Sequence, residues 1–409
     1  MSHWFRLCLA LVVTIAMPGL CAGQMPPAQR QERTDEARVV IAVGGDVLPE
    51  SSWEGSQDIF HFLDGMRAEF AQTDLVFVNL EEPITSSTQV TPFKSQAEVA
   101  AGLDYILKAR NPEIPKALKQ AGVGLVGLAN NHMMDYGLAG LRDTLHAFHQ
   151  AEFPVVGAGF KLDAERPFIF QKRGCRVALL AFSDVVPRNS AATETHLGIA
   201  SAKDDLELVN AIRKARRGAD FLVLMMHWGG QANHLITPRQ RQLARAAVEA
   251  GSDVIVGMHP HVLQGIEFFG QVPVLYSIGN FAFASKRPAS QECVLVKLKF
   301  DSARPVEVGL VPVVISPSGA PTLAGQQQSK EIFGHLDGFC RMFNSEVREG
   351  RLMGSSPRAR LVYDLTNQKR SHSTARHSTA RESPRRRPSG NRGGVATIAV
   401  PANDVLTGL

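Results

Sequence analysis

The sequence predicts an α/β fold whose sheets are buried on both faces. Short, almost unbroken apolar runs such as residues 39–43, 75–80 and 221–226 have the length and branched-residue content of such strands. Segments with helical spacing alternate with them, as wound α/β sheets require. Most runs also end in Asp, Glu, Asn or His, and ligands of these folds gather outside the carboxyl ends of the strands.

Taken in order, 39–43 leads into Gly44-Gly45-Asp46. Ile59, Phe62, Leu63, Met66 and Phe70 have the spacing of a helix face. The strand 75–80 ends at Glu81-Glu82-Pro83, and a helix over 113–121 stops at Gly122. The strand 123–128 ends in Ala129-Asn130-Asn131-His132, a helix spans 138–150, and 155–159 is a short strand. Strands follow at 176–182 and at 221–226, the latter ending in His227-Trp228-Gly229. Thr237 is a suitable N-cap, Pro238 suits the first turn and Gly251 suits the position after the last, so a helix lies between. The run Val254-Ile255-Val256-Gly257-Met258 ends in His259-Pro260-His261; in extended backbone the two imidazoles share a face, with Pro260 stiffening the pair. The strand 272–276 precedes Ser277-Ile278-Gly279-Asn280-Phe281, and the alternating runs 294–300 and 306–315 predict antiparallel strands.

The two ends differ from the middle. Residues 2–6 form a short basic start, 7–17 an apolar run too brief to span a bilayer comfortably, and 18–23 a stretch of small residues with cleavage expected after Ala22 or Gly23. This predicts an export signal over 1–23 and a periplasmic, cell-envelope or extracellular location, with a linker over 24–38. Residues 39–320 form the main domain, and 321–365 a C-terminal helical extension. From Thr366 to the end, eight Lys or Arg face two acids, so the tail alone exceeds the whole-chain charge of +5. Its repeated His-Ser-Thr-Ala-Arg, at 372–376 and 377–381, cannot bury a core, and 366–409 reads as disordered. A solvated tail or frameshifted end is preferred to an arm that binds nucleic acid or the envelope, so nucleic acid is not an expected partner. Beyond the signal, Cys175, Cys293 and Cys340 have no metal spacing and allow at most one disulfide.

Asp46, Glu81, Asn131, His132, His227, His259 and His261 all fall at predicted strand ends. Carboxylate, amide and imidazole donors are the ligand set of mononuclear or dinuclear divalent metal sites, and two such ions about 4 Å apart can clamp a phosphoryl group. Each residue also has a structural use: Asp46 as a cap, Glu81 as a solvated strand end, Asn131 and His132 as turn formers, His227 as a core histidine. Asp135 and Asn233 read as surface or turn residues rather than ligands.

Six motifs occur in a fixed order: Gly45-Asp46-Val47, Asn79-Leu80-Glu81, Asn130-Asn131-His132 with Asp135 and Gly137, His227-Trp228-Gly229, Gly257-Met258-His259-Pro260-His261, and Ser277-Ile278-Gly279-Asn280-Phe281. Over roughly 39–284 the chain resembles the CapA family of capsule and poly-γ-glutamate synthesis proteins, a branch of the calcineurin-like metallophosphoesterase superfamily. The resemblance implies a four-layer α/β/β/α sandwich with its site at one rim. It implies Mn, Fe or Zn, one or two ions: Asn131, His227 and His259 on one, Asp46 and His261 on the other, Glu81 shared. His132 resembles the histidine that assists the leaving group; Asn130, Asp135, Trp228 and Asn280 accompany these residues within the motifs. Two positions depart from the pattern: Leu48 stands where the superfamily usually has His, and Gln231-Ala232 where the family often has an acid and a tyrosine. The partners implied are an anionic polymer or a phosphoester and a membrane-bound polymer synthase. A metal-dependent hydrolase, a non-catalytic accessory subunit and an exported phosphatase on small phosphoesters remain the three readings.

Overall fold

A computed structural model describes residues 38–50, 59–101, 104–301, 304–348 and 351–353. The chain divides into two compact units, Met1–Arg38 and Val39–Leu409, and of the first only Arg38 is described. The expected signal, nearly all of the linker, residues 354–365 and the basic tail lie outside the described residues. Among the described residues no helix is long and apolar enough to cross a membrane.

The principal strands are β1 (Val39–Val47), β2 (Leu75–Leu80), β3 (Leu125–Gly127), β4 (Val155–Val156), β5 (Cys175–Ser183) and β6 (Phe221–His227). They continue as β7 (Val254–Met258), β8 (Val272–Leu275), β9 (Asn280–Ala282), β10 (Glu292–Asp301) and β11 (Arg304–Ile315). The main helices are α1 (Ile114–Ala121), α2 (Gly137–Gln150), α3 (Asp205–Arg216), α4 (Pro238–Ala250) and α5 (Gln326–Cys340). One sheet runs β11-β10-β1-β2-β3-β4, with β1 to β4 parallel and β10-β11 an antiparallel hairpin. The other runs β8-β7-β6-β5, all parallel, closed at its edges by antiparallel Ile266–Phe269 and Phe168–Lys172.

Strand alternation builds four layers. Ile41, Val43, Phe77 and Leu125 point one way and join the core with Leu179, Val223 and Val254 of the second sheet. A Cβ on Gly127 would sit 2.8 Å from Met225 Sδ, which shows how closely the sheets approach, and Phe221 meets Phe300 across the same interface at 5.1 Å between ring centres. Ala42, Val76, Val78 and Val126 point the other way, onto Leu118, Leu141 and Phe148 of α1 and α2. On the far side α3 and α4 press Leu208, Ile212, Leu243 and Ala247 against the second sheet. The sandwich is α/β/β/α.

Helix α4 has a reciprocal capping box between Thr237 and Gln240 and a left-handed Gly251 at φ +117°, matching its sequence signals. The expected helix over 59–70 is reduced to a 3₁₀ turn at Asp64–Met66 and one α turn at Arg67–Phe70, although Phe62, Leu63, Met66 and Phe70 are buried. The expected helical extension is only partly helical. Beside α5, Pro321–Leu323 pairs with β11, and Glu346–Arg348 and Arg351–Met353 extend the first sheet.

Candidate metal centre

Asp46 comes from the end of β1, where the register with β2 slips between Val43 and Asp46 at Gly44-Gly45. The irregularity re-aims the strand end. Its glycines are required by close approach: a Cβ on Gly45 would lie 2.0 Å from Gly279 O. Glu81 follows β2, Asn131 and His132 occupy the turn after β3, His227 ends β6, and His259 and His261 follow β7. The carboxylates and amide thus belong to one sheet and the three metal-type imidazoles to the other.

The two histidines after β7 do not share a face of extended strand, as alternation predicted. Pairing ends at Met258, and His259 and His261 adopt φ +94° and +57°. A non-glycine residue in that region costs on the order of 1–3 kcal/mol and persists only where its surroundings impose it. Here Asp46 Oδ2 accepts the His259 backbone N–H at 3.1 Å, and Ala232 N–H donates to Pro260 O at 2.8 Å.

Two groups of donor atoms result, each within 4.8 Å of one another: Glu81, His227 and His259, and Asp46, Glu81 and His261. Asn131 Oδ1 lies 2.7 Å from His227 Nε2 and so borders the first group. Glu81 Oε1 is 3.3 Å from His227 Nε2 and 3.8 Å from His261 Nε2, while Asp46 Oδ2 is 3.5 Å from His261 Nδ1. Asp46 and Glu81 are fully buried, which excludes the solvated strand end considered for Glu81. Leu48 is 3 % exposed and offers no donor, so the second group has three protein ligands.

Electrostatics favour a cation. Burial, then the Glu81 carboxylate, raise Asp46 to about 6 against the pull of His227 and His261. Burial also pushes Glu81 upward, but His261 and His227 outweigh it and hold the carboxyl well below the usual range. Burial, with His227 and His261 nearby, holds His259 well below 6.5. An ionised carboxylate and a neutral imidazole are the forms that donate lone pairs to a metal. Both Glu81 oxygens, His227 Nδ1 and His259 Nδ1 are buried without hydrogen-bond partners. Such atoms are costly unless something satisfies them, and the mixed N/O donor set fits a divalent cation.

The surrounding residues orient these donor groups. Asn79 Nδ2 donates to Asp46 Oδ1 at 2.8 Å, and Asn130 Nδ2 donates to Asn79 Oδ1 at 3.1 Å and Leu80 O at 2.7 Å. Asn130 Oδ1 accepts the backbone N–H groups of His132 and Met133. Asn280 Oδ1 lies 2.8 Å from His261 Nδ1. Trp228 is buried and donates to Tyr276 O at 2.8 Å, tying the strand ends together outside both donor groups. Asp135, read as a surface or turn residue, does stand in the turn but is fully buried, 2.8 Å from His132 Nδ1; Asn233 is exposed.

Sequence reasoning gave no role to two residues, Asn79 of the Asn79-Leu80-Glu81 motif and Lys94. Asn79 is a lone amide in an apolar strand two positions before Glu81, a signal that was available. Lys94, 4 % exposed and 2.7 Å from Asp135 Oδ1, sits in a polar loop that offers no signal.

The chain is similar to the "PGA biosynthesis protein CapA" of Bacillus subtilis, 35% identical over 63% of this chain and 65% of the relative. It is 34% identical to the "Capsule biosynthesis protein CapA" of Bacillus anthracis over 64% of each. In both cases the match spans slightly less than two thirds of the relative's length. A Mycobacterium tuberculosis protein named "Probable polyglutamine synthesis accessory protein" is 27% identical over 52% of this chain and 56% of its own. Among solved structures the chain is similar to NAD nucleotidase of Haemophilus influenzae, at 14% identity and a TM-score of 0.36 over 82% of this chain and 60% of that one. The family model described as "Bacterial capsule synthesis protein PGA_cap" matches residues 40–285, a span that holds every donor of both groups together with His132 and Asp135. With the fold and this site inside the matched span, the chain belongs to the bacterial capsule synthesis protein PGA_cap family.

Proposed function

We propose that this chain is an exported, metal-dependent, hydrolase-like protein that acts in the synthesis, release or anchoring of an anionic capsule polymer such as poly-γ-glutamate. The observation that supports it most is Glu81, a fully buried carboxylate held ionised between two donor groups with neither oxygen hydrogen-bonded. Asp46, Glu81, Asn131, His227, His259 and His261 are the residues to hold one or two ions of Mn, Fe or Zn. Bound there, such ions supply Lewis acidity toward a phosphoryl or carbonyl oxygen. His132, oriented through Nδ1 by Asp135, is placed to pass a proton to the leaving group. The names of the two Bacillus relatives support the polymer, and a membrane-bound synthase is the partner such a role calls for.

A second reading, a non-catalytic subunit that binds polymer or synthase, draws on the apolar Leu48 beside Asp46 and on the accessory role in the mycobacterial relative's name. The test is elemental analysis of purified protein beside His259→Ala and Asp46→Ala, followed by turnover of a generic phosphodiester. Roughly one or two equivalents of Mn, Fe or Zn in the parent, lost in the variants, is the expected result for a built metal site. A chain that takes up no metal on reconstitution supports the accessory reading instead. Turnover of small phosphoesters without any effect on polymer points to a phosphatase unconnected with capsule.

A further inference from the structure

We propose that Lys94 is a positioning residue for His132, acting through Asp135; this rests on the reading of His132 as the residue that assists the leaving group. Lys94 stands in the loop between β2 and α1, yet its side chain is only 4 % exposed. Its ammonium lies 2.7 Å from Asp135 Oδ1, 2.8 Å from Tyr105 O and 3.4 Å from Asp104 Oδ1. The contacts with Asp135 and Asp104 are ion pairs, and Tyr105 O accepts one of the three ammonium N–H groups. Lys94 is therefore held by two buried or half-buried carboxylates and a backbone carbonyl of the protein itself.

The other carboxylate oxygen, Asp135 Oδ2, accepts Leu107 N–H at 2.8 Å and lies 2.8 Å from His132 Nδ1. In the tautomer that the proposal assigns, Nδ1 carries the proton toward this carboxylate and Nε2 is left for the reacting group. Lys94 Nζ also comes within 3.0 Å of Nδ1. In the assigned tautomer both groups are donors that approach opposite oxygens of one carboxylate. Asp135 cannot rotate without releasing Lys94, and the His132 ring cannot turn while Asp135 is held. The backbone joins in, because Thr91 N–H donates to Asp135 O at 2.8 Å. Lys94, Leu107 and Thr91 thus fix from the loop side the orientation that Asp135 gives His132.

The test uses the full chain and two readouts. In the metal-free protein, the ¹⁵N resonances of the His132 imidazole, assigned against His132→Gln, are expected to show one tautomer with the proton on Nδ1. Lys94→Met is expected to give averaged tautomers. In the metal-loaded protein, Lys94→Met is expected to lower kcat on a generic phosphodiester at least tenfold, with KM and bound metal within about twofold, and Lys94→Arg to recover part of that loss. Averaged tautomers already present in the parent would overturn the proposal without any variant, which covers the case in which Lys94→Met fails to fold. An unchanged His132 pattern in Lys94→Met would overturn it as well, as would kcat within twofold of the parent. If the parent shows no turnover, the hydrolase reading fails, and the resonances alone decide the role of Lys94.

Discussion

Glu81 is the residue on which the electrostatics of the site turn. A buried carboxylate without hydrogen bonds destabilises the ion-free protein and repays that cost only when a cation arrives. Glu81→Gln is therefore expected to leave the ion-free protein as stable as the parent or more so. Divalent ions should raise the melting temperature of the parent, since a ligand bound only by the folded state stabilises by mass action, and should leave the variant unmoved. Thermal melts with and without Mn²⁺ or Zn²⁺ check both arms; a variant that still shifts with metal would remove Glu81 from the site. Asp46, Glu81 and the histidines were legible in the sequence because polar residues at the ends of apolar strands are conspicuous. Asp135 was marked by its motif but not its burial, and Lys94 not at all, since nothing in a polar turn or loop announces that the fold will bury it. The conformations of His259 and His261 were hidden too, because φ values of +94° and +57° belong to the meeting of two sheets rather than to local sequence.

At the scale of elements, α4 is fastened to the second sheet by a chain of polar contacts that runs from the half-exposed Arg241 inward to the buried Tyr276. Arg241 Nη2 donates to Glu267 Oε1 at 2.6 Å, and Tyr276 O–H donates to Glu267 Oε2 at 2.8 Å. Burial first, then the bond to Glu267, raise Tyr276 well above the ordinary tyrosine value of 10.0. The unfolded chain thus releases this proton at a lower pH than the folded one. The contribution is whole below about pH 10 and declines as pH rises above it. Tyr276→Phe is expected to cost about 1.5–3 kcal/mol at neutral pH, the range for a bond to a charged acceptor. Denaturant melts between pH 8 and 11 should also show a flatter alkaline decline than in the parent, and an equal slope would contradict the assignment. Elements buried on both faces were readable because they are unbroken apolar runs. Helix α3 went unread despite Asp204, whose side chain accepts from Leu206 and Glu207 N–H, because its buried face includes the small residues Ala211 and Ala215. The edge strand Phe168–Lys172 went unread because it is largely solvated and its apolar run, Phe168-Ile169-Phe170, is only three residues long.

For the whole molecule, the charge balance separates the folded body from the basic residues after Thr366. Removing 366–409 is expected to leave melting temperature and metal content unchanged, and a drop of several degrees would show that the tail contributes to the core. The four layers have a further consequence. Carboxylate donors on one sheet and imidazole donors on the other would make an ion held between them a clasp across one rim only, while at the opposite rim the sheets meet through apolar packing such as Phe221 on Phe300. With such an ion in place the molecule would have a preferred direction of opening. In hydrogen exchange, loss of the ions should speed the amides of Glu81 and Trp228, bonded to Val47 O and Met258 O beside the site. The amides of Asp74 and Asp253, bonded to Val40 O and Leu222 O at the far rim, should keep their protection, so that the sandwich parts like a book with its spine intact.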